Sequence, residues 1–217
     1  MQLKKMRQKE NARAAAGKGV GGVASYSKGA AKREEILVGV MKALADGKLR
    51  NPPLRAIGQA LGVEPAHILY YFSSREELLQ SVIMRWDDDV RTQCGAVSAD
   101  SPISLDEYSD AIARNITRPG IVHLYLTFAA EAVDIAHPAH AFFCKRFDDV
   151  RHSIAEAVRK EQAEGTIEPG LDAEHQARLL IALADGLQLQ SLVDPKVDAA
   201  SDLASAIARL RARSANS

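Results

Sequence analysis

Apolar residues recur at helical spacing along most of the chain, and the pattern predicts an all-α fold. Ile36, Leu37, Val40, Met41 and Leu44 mark the inner side of a first helix over about Gly29 to Asp46, ended by Gly47. After a loop stiffened by Pro52-Pro53, Leu54, Ile57 and Leu61 predict a short amphipathic helix. Gly62 can adopt the left-handed conformation that stops it, and Val63 supplies an apolar plug inside the turn. Glu64-Pro65 reads as a new helix start, because a first-turn proline loses no internal hydrogen bond. This second short helix carries Ala66, His67, Tyr70 and Tyr71, turns Ile68 inward and closes at Phe72. Ser73-Ser74 can cap a long helix from Arg75 to about Ala96, with Leu78, Leu79, Val82, Ile83, Trp86 and Val90 as its apolar positions.

Beyond a polar loop at Ser98–Ser104, Leu105, Tyr108, Ile112 and Ile116 form one stripe of a helix reaching about Thr117. Arg118-Pro119-Gly120 breaks the chain. The next run, Ile121–Ala136, is apolar almost all round, as in a helix buried on several sides. Its polar residues His123, Thr127, Glu131 and Asp134 share one stripe, which is either its wet side or the lining of a cavity. His137-Pro138-Ala139-His140 opens a long helix to about Glu164, with Phe143, Phe147, Val150, Ile154 and Val158 on one face. Asp172 caps another to about Val193, and Asp194-Pro195 separates it from a last helix over about Asp198 to Arg211. The leucines of the Asp172-capped helix face several ways, more than one chain of this size can cover, so a second subunit is the expected cover.

Two short helices joined by so tight a turn make either an ordinary αα-corner or a helix-turn-helix whose second helix enters the DNA major groove. Charge favours the second. Residues 1–75 hold 14 Lys/Arg against 5 Asp/Glu, a net +9, and residues 76–217 hold 14 against 23, a net −9. A basic front on an acidic body suits nucleic-acid binding by the front alone. Residues 1–27, with Lys4, Lys5, Arg7, Lys9, Arg13 and Lys18 and no apolar periodicity, read as a basic, disordered arm that can condense on phosphates.

The stretch Leu54–Phe72 and its continuation resemble the DNA-binding domain of TetR-family transcriptional regulators. The residues that carry the resemblance are Ile57-Gly58, Leu61-Gly62-Val63, Ile68, Tyr71-Phe72, Arg75 and Leu78. Leu69 stands where the family usually has a tyrosine, Arg75 where it has a lysine, and Pro53 in the place of a Ser/Thr cap. A looser match in Glu131-Ala132, His137-Pro138-Ala139-His140 and Gly186-Leu187-Gln188-Leu189-Gln190 extends it over most of residues 28–195. The resemblance implies a three-helix head at 28–74 and, over 75–217, a roughly six-helix body that binds ligand and dimerises. It implies that Arg55, Tyr70, Tyr71 and Arg75 hold phosphates while Pro65, Ala66 and His67 face base edges, Ala66 at a thymine methyl and His67 at a purine N7. It also implies that the last two helices pair with their twins in a four-helix bundle, through Leu180, Leu183, Leu187, Leu203, Ile207 and Leu210.

An effector cavity is expected among the body helices, walled by Trp86, Tyr108, Phe128, Phe143 and Phe147, with His123, Thr127 and Gln188 as polar tips. Aromatic walls with few polar groups suit a mostly apolar, drug-sized or lipid-like ligand, although the same residues serve equally as plain core. Asp87-Asp88-Asp89 is read as a solvated surface, since consecutive helical residues point to different faces. Cys94 and Cys144 are far apart, as reduced thiols in a cytoplasm would be, and neither a signal core nor a membrane-length apolar run is present. The expected protein is a cytoplasmic, homodimeric repressor that binds a near-palindromic double-stranded operator and is released by a small-molecule effector, with no cofactor and no metal. Two alternatives compete with it. One is a constitutive DNA-binding regulator, and the other an all-helical metalloenzyme or hydrolase using His123, Glu131, His137 and His140, whose spacing is not diagnostic of a metal.

Overall fold

Proline and glycine divide the chain close to where the pattern placed its breaks. The computed structural model describes residues 20–93 and 103–212, and of residues 20–28 the backbone alone. In order, the helices are α1 (Val20–Ala45), α2 (Leu54–Leu61), α3 (Pro65–Tyr71), α4 (Arg75–Gln93) and α5 (Leu105–Ile116). They are followed by α6 (Pro119–Glu131), α7 (His140–Ala163), α8 (Ala173–Val193) and α9 (Ala199–Ala212).

Two boundaries differ from expectation. Helix α1 starts at Val20, so residues 20–27, assigned above to the arm, are helical. No proline interrupts the run, so the helix continues outward from its packed end even through Gly21 and Gly22, which are poor helix formers. The remainder of the arm, residues 1–19, lies outside the described residues. Helix α6 ends at Glu131 rather than Ala136, while α7 begins at His140, the last residue of the segment expected to open it. Between them, side chains compete for the backbone: Asp134 accepts from Ala136 N–H at 2.9 Å, and His137 Nδ1 from Ala139 N–H at 3.2 Å.

The caps are those the residue types call for. Gly62 ends α2 at φ 64°, and Pro65 opens α3. Ser74 Oγ accepts from Glu77 N–H at 3.0 Å. Ser104 and Glu107 form a capping box on α5, and Asp172 caps α8 through the N–H groups of Glu174 and His175.

Two apolar cores result, and the division between them does not fall at residue 75. The first joins Ile36, Leu37, Val40, Leu44, Ile57, Ile68 and Phe72 of the head to Leu78, Leu79 and Val82 of α4, and then to Ile121, Leu124 and Phe128 of α6 and Phe143 of α7. The second gathers Leu105, Ile154, Val158, Leu180, Leu203 and Ile207 from α5, α7, α8 and α9. Helix α6 is therefore part of the floor on which the head rests. Its N-terminus comes so close to the end of α1 that a Cβ on Gly120 would lie 2.0 Å from the Leu44 carbonyl oxygen.

Candidate functional site

Helix α3 is held by one side only. Ile68 is fully buried beneath it, while Ala66, His67, Leu69 and Tyr70 are exposed, Tyr70 to 79 %. The edges of His67, Tyr71 and Tyr70 meet in sequence, with centroid separations of 5.3 and 5.0 Å and near-perpendicular planes. Pro65 and Tyr71 are half-buried, and Arg55 on α2 is exposed. This outer face carries both apolar and hydrogen-bonding groups, the mixture that base edges and phosphates require.

Arg75, expected to hold a phosphate, is engaged within the protein. Its guanidinium donates to the Pro52 carbonyl at 2.9 Å, to Asn51 Oδ1 at 2.6 Å and to Glu76 at 3.1 Å. Asn51 in turn donates to Glu131 at the end of α6, at 2.7 Å. The arginine thus ties the loop before α2 to the body, because the left-handed turn at Asn51 (φ 43°) brings that side chain within its reach. A second clasp is Arg33, which bonds Glu77 and Ser81 at 3.0 Å and lies 4.3 Å from the centroid of the Phe72 ring. Ser73, through its hydroxyl and its N–H, and then Arg33 hold the Glu77 carboxyl below its ordinary range.

A cavity lies among α4, α5, α6, α7 and α8. Its volume is about 60 Å³, room for a few waters. Of the residues expected there, Trp86, Tyr108, Phe147 and Gln188 line it. His123, Thr127, Phe128 and Phe143 do not. Phe128 and Phe143 are buried in the head-side core, where they meet each other edge to face at 5.6 Å. Thr127 bonds back to the carbonyls of His123 and Leu124 on its own helix, and the buried Nδ1 of His123 has no hydrogen-bond partner among the described residues.

The polar lining is richer than the sequence pattern led us to expect: Asp87, Asn115, Tyr125, Arg146 and Asp185. Arg146 grips Asp87 through two bonds of 2.9 and 3.1 Å and lies 4.7 Å from the Tyr125 ring centroid. Burial works against its charge, but Asp87, joined by Tyr125 and Asp185, outweighs that and holds its pKa up. Tyr125 donates its hydroxyl to Asp185 at 3.2 and 3.3 Å, and Trp86 donates to Asn115 at 2.7 Å. Burial pushes the Asp185 carboxyl up, and likewise the Tyr108 and Tyr125 hydroxyls. The solvated-surface reading of the aspartate run is therefore corrected at Asp87, a cavity residue, and at Asp89, which pairs with Arg85; only Asp88 is exposed. A signal for the missed groups existed: Ile181, Asp185 and Gln188 share one face of α8, and Arg146 lies on the apolar stripe beside Phe143 and Phe147. The cavity is smaller than the drug-sized ligand expected above requires, and among its mostly apolar walls it carries charged groups that expectation did not include.

The residues expected at the dimer face differ in exposure. Leu180, Leu187, Leu203, Ile207 and Leu210 are buried within the protomer, because α9 packs across α8 and α5. Leu183 is exposed, and with Leu179, Ala182, Leu189 and Val193 it makes an uncovered stripe along α8, with half-buried Gly186 between. Leu187 and Leu210 reach its edge in a groove shared with Leu183 and Ala206. Elsewhere, His140 bonds the Ala132 carbonyl, His137 accepts a backbone N–H and Glu131 is taken by Asn51, so these three are engaged in local structure.

Residues 109–213 match the family described as BetI-type transcriptional repressor, C-terminal. The HTH-type transcriptional repressor KstR2 of Rhodococcus jostii is 23% identical over 124 residues, 57% of this chain and 52% of that protein, so about half the length of this relative is spanned. A crystal structure assigned to the TetR family of transcriptional regulators, from Rhodococcus sp., superposes with TM-score 0.64 at 24% identity, covering 82% of this chain and 97% of that one. A transcriptional regulator from Rhodococcus sp. Rha1 gives TM-score 0.61 at 19% identity, over 83% of this chain and 94% of that one. Each of these relatives is named as a transcriptional regulator and none of them as an enzyme.

Proposed function

We propose that this member of the TetR family of transcriptional regulators is a homodimeric repressor, acting in the cytoplasm and released from its operator by a small molecule. The observation that carries the reading is the outer face of α3, where Ala66, His67 and Tyr70 stand free above a buried Ile68. Arg55, Tyr70 and Tyr71 hold phosphates, and Pro65, Ala66 and His67 face base edges. Arg75 acts from behind, fixing the loop that aims α2. Two heads related by a two-fold axis read a near-palindromic site, since protein symmetry imposes itself on the DNA. The exposed stripe of α8 supports the dimer: one protomer leaves Leu179, Leu183, Leu189 and Val193 uncovered.

The link to the body is mechanical. Ile121, Val122 and Tyr125 of α6 line the cavity, while Gly120 on the same helix touches the end of α1 beneath the head. A ligand that displaces α6 therefore shifts the head, and its differential affinity for the two arrangements sets how far the equilibrium moves. Among the described residues no helix is long and apolar enough to cross a membrane. Footprinting of the full-length protein on genomic fragments tests the reading. A protected site with two-fold symmetry is expected, together with relaxed base preference in His67→Ala and uniformly weaker binding in Tyr70→Phe. Wild-type selectivity and affinity in both variants would overturn the assignment of α3.

A further inference from the structure

The charges inside the cavity do not balance. Asp87 and Arg146 neutralise one another through two hydrogen bonds of 2.9 and 3.1 Å. The second carboxylate, Asp185, has only the neutral Tyr125 hydroxyl as its hydrogen-bond donor, at 3.2 and 3.3 Å, and forms no ion pair among the described residues. Arg146 is near enough to be felt by Asp185 but is committed to Asp87. An anion entering here would have to displace Asp87 from its bidentate grip and would then face Asp185. A cation meets an unmatched carboxylate without displacing anything. The walls agree, because Trp86, Tyr108, Tyr125 and Phe147 present aromatic surface, and Tyr125 already lies against the Arg146 guanidinium, 4.7 Å from its ring centroid.

We propose that the cavity takes a small organic cation, an amine or ammonium headgroup set against Asp185 with its short apolar part among the aromatic walls. This rests on the effector reading above and adds the chemical class of the effector. The roughly 60 Å³ available admits a headgroup and little more, so a longer ligand has to part the side chains between α5, α6 and α8. Burial raises the range in which the Asp185 carboxyl loses its proton, and a bound cation lowers it. Binding therefore tightens as pH rises through that range. The other groups facing it leave that sign unchanged. Asp87 of α4 and Arg146 of α7 are paired, Tyr108 of α5 and Tyr125 of α6 are kept neutral by burial, and Asn115 of α5 and Gln188 of α8 do not titrate.

Trp86 is the chain's sole tryptophan and lines the cavity, so its emission reports occupancy directly. The full-length protein is titrated with n-butylammonium, butan-1-ol and butyrate, which share a chain length and differ in charge. Butylammonium is expected to bind at least about tenfold tighter than the other two, and Asp185→Asn, which keeps an acceptor for Tyr125, to erase that preference. Should the variant not fold, a pH series on the wild type decides the same question, with the ammonium preference growing as pH rises. Equal affinity for the three probes, a tighter grip on butyrate, or silence towards all three overturns the cation assignment. Ammonium binding that leaves operator affinity unchanged upholds the cation site and overturns the effector reading instead.

Discussion

Gly120→Ala places one methyl group at the junction of head and body. The new Cβ would sit 2.0 Å from the Leu44 carbonyl oxygen and 2.8 Å from its carbon, both backbone atoms that no rotamer change can move. To reach ordinary contact at 3.4 Å, the end of α1 and the start of α6 must separate by about 1.4 Å. Overpacking of this kind costs about 1–3 kcal/mol, and in a chain of this size each kcal/mol lowers the melting temperature by about 2–4 °C. The loss is not confined to stability, since Ile121, Val122 and Tyr125 follow directly on α6 and line the cavity. Thermal melting followed by circular dichroism, paired with operator titration, reads both effects. Gly29→Ala is the control: nothing lies within 4 Å of its Cβ position, so an alanine in helix α1 should be neutral or stabilising by about 0.5–1 kcal/mol. Wild-type melting and operator affinity in Gly120→Ala would refute the close approach and the mechanical link built on it.

Phe128→Ala empties the core shared by head and body, and about 3–5 kcal/mol of stability should go with it; denaturant melts that lose less than about 1 kcal/mol would return this residue to a ligand-lining role. Leu183→Glu, on the exposed stripe of α8, should split the dimer while leaving the protomer folded, whereas Leu203→Glu should unfold it. Light scattering that still reports a dimer for a folded Leu183→Glu would move the interface elsewhere. Glu77, held below its ordinary value of 4.5 by Ser73 and Arg33, stabilises the head above that pH and loses the contribution as pH falls through its lowered value. Glu77→Gln should accordingly flatten the acid side of the stability–pH curve, and an unchanged slope would show the clasp contributes nothing.

The helix-turn-helix was legible because each of its features is local. Proline at a first turn, glycine in the left-handed region and an apolar residue every third or fourth position act on their immediate neighbours, and α2, Gly62 and α3 fall where those residues place them. The caps at Ser74 and Asp172 are readable for the same reason. Local competition also shortened α6, and there it was missed, since Asp134 and His137 look equally at home in a helix.

What the one-dimensional pattern could not supply was the pairing of distant faces. Periodicity marks Leu180, Leu203 and Ile207 as apolar but does not say whether α9 or a second subunit covers them; the packing of α9 across α8 answers that and leaves only Leu183 of the expected set exposed. The same holds for the cavity. Phe128 and Phe143 are as aromatic as Trp86 and Phe147, yet the first two fill the core under the head and the second two line the cavity. Asp87, Arg146 and Asp185 come from helices far apart in sequence, and their charges acquire meaning only once α4, α7 and α8 are brought together. The sequence by itself determined the helices, their caps and the face that α3 presents, because these depend on interactions within a few residues. Tertiary structure alone decided which apolar faces are already covered and which buried charge has no opposite, because both are properties of contacts between elements.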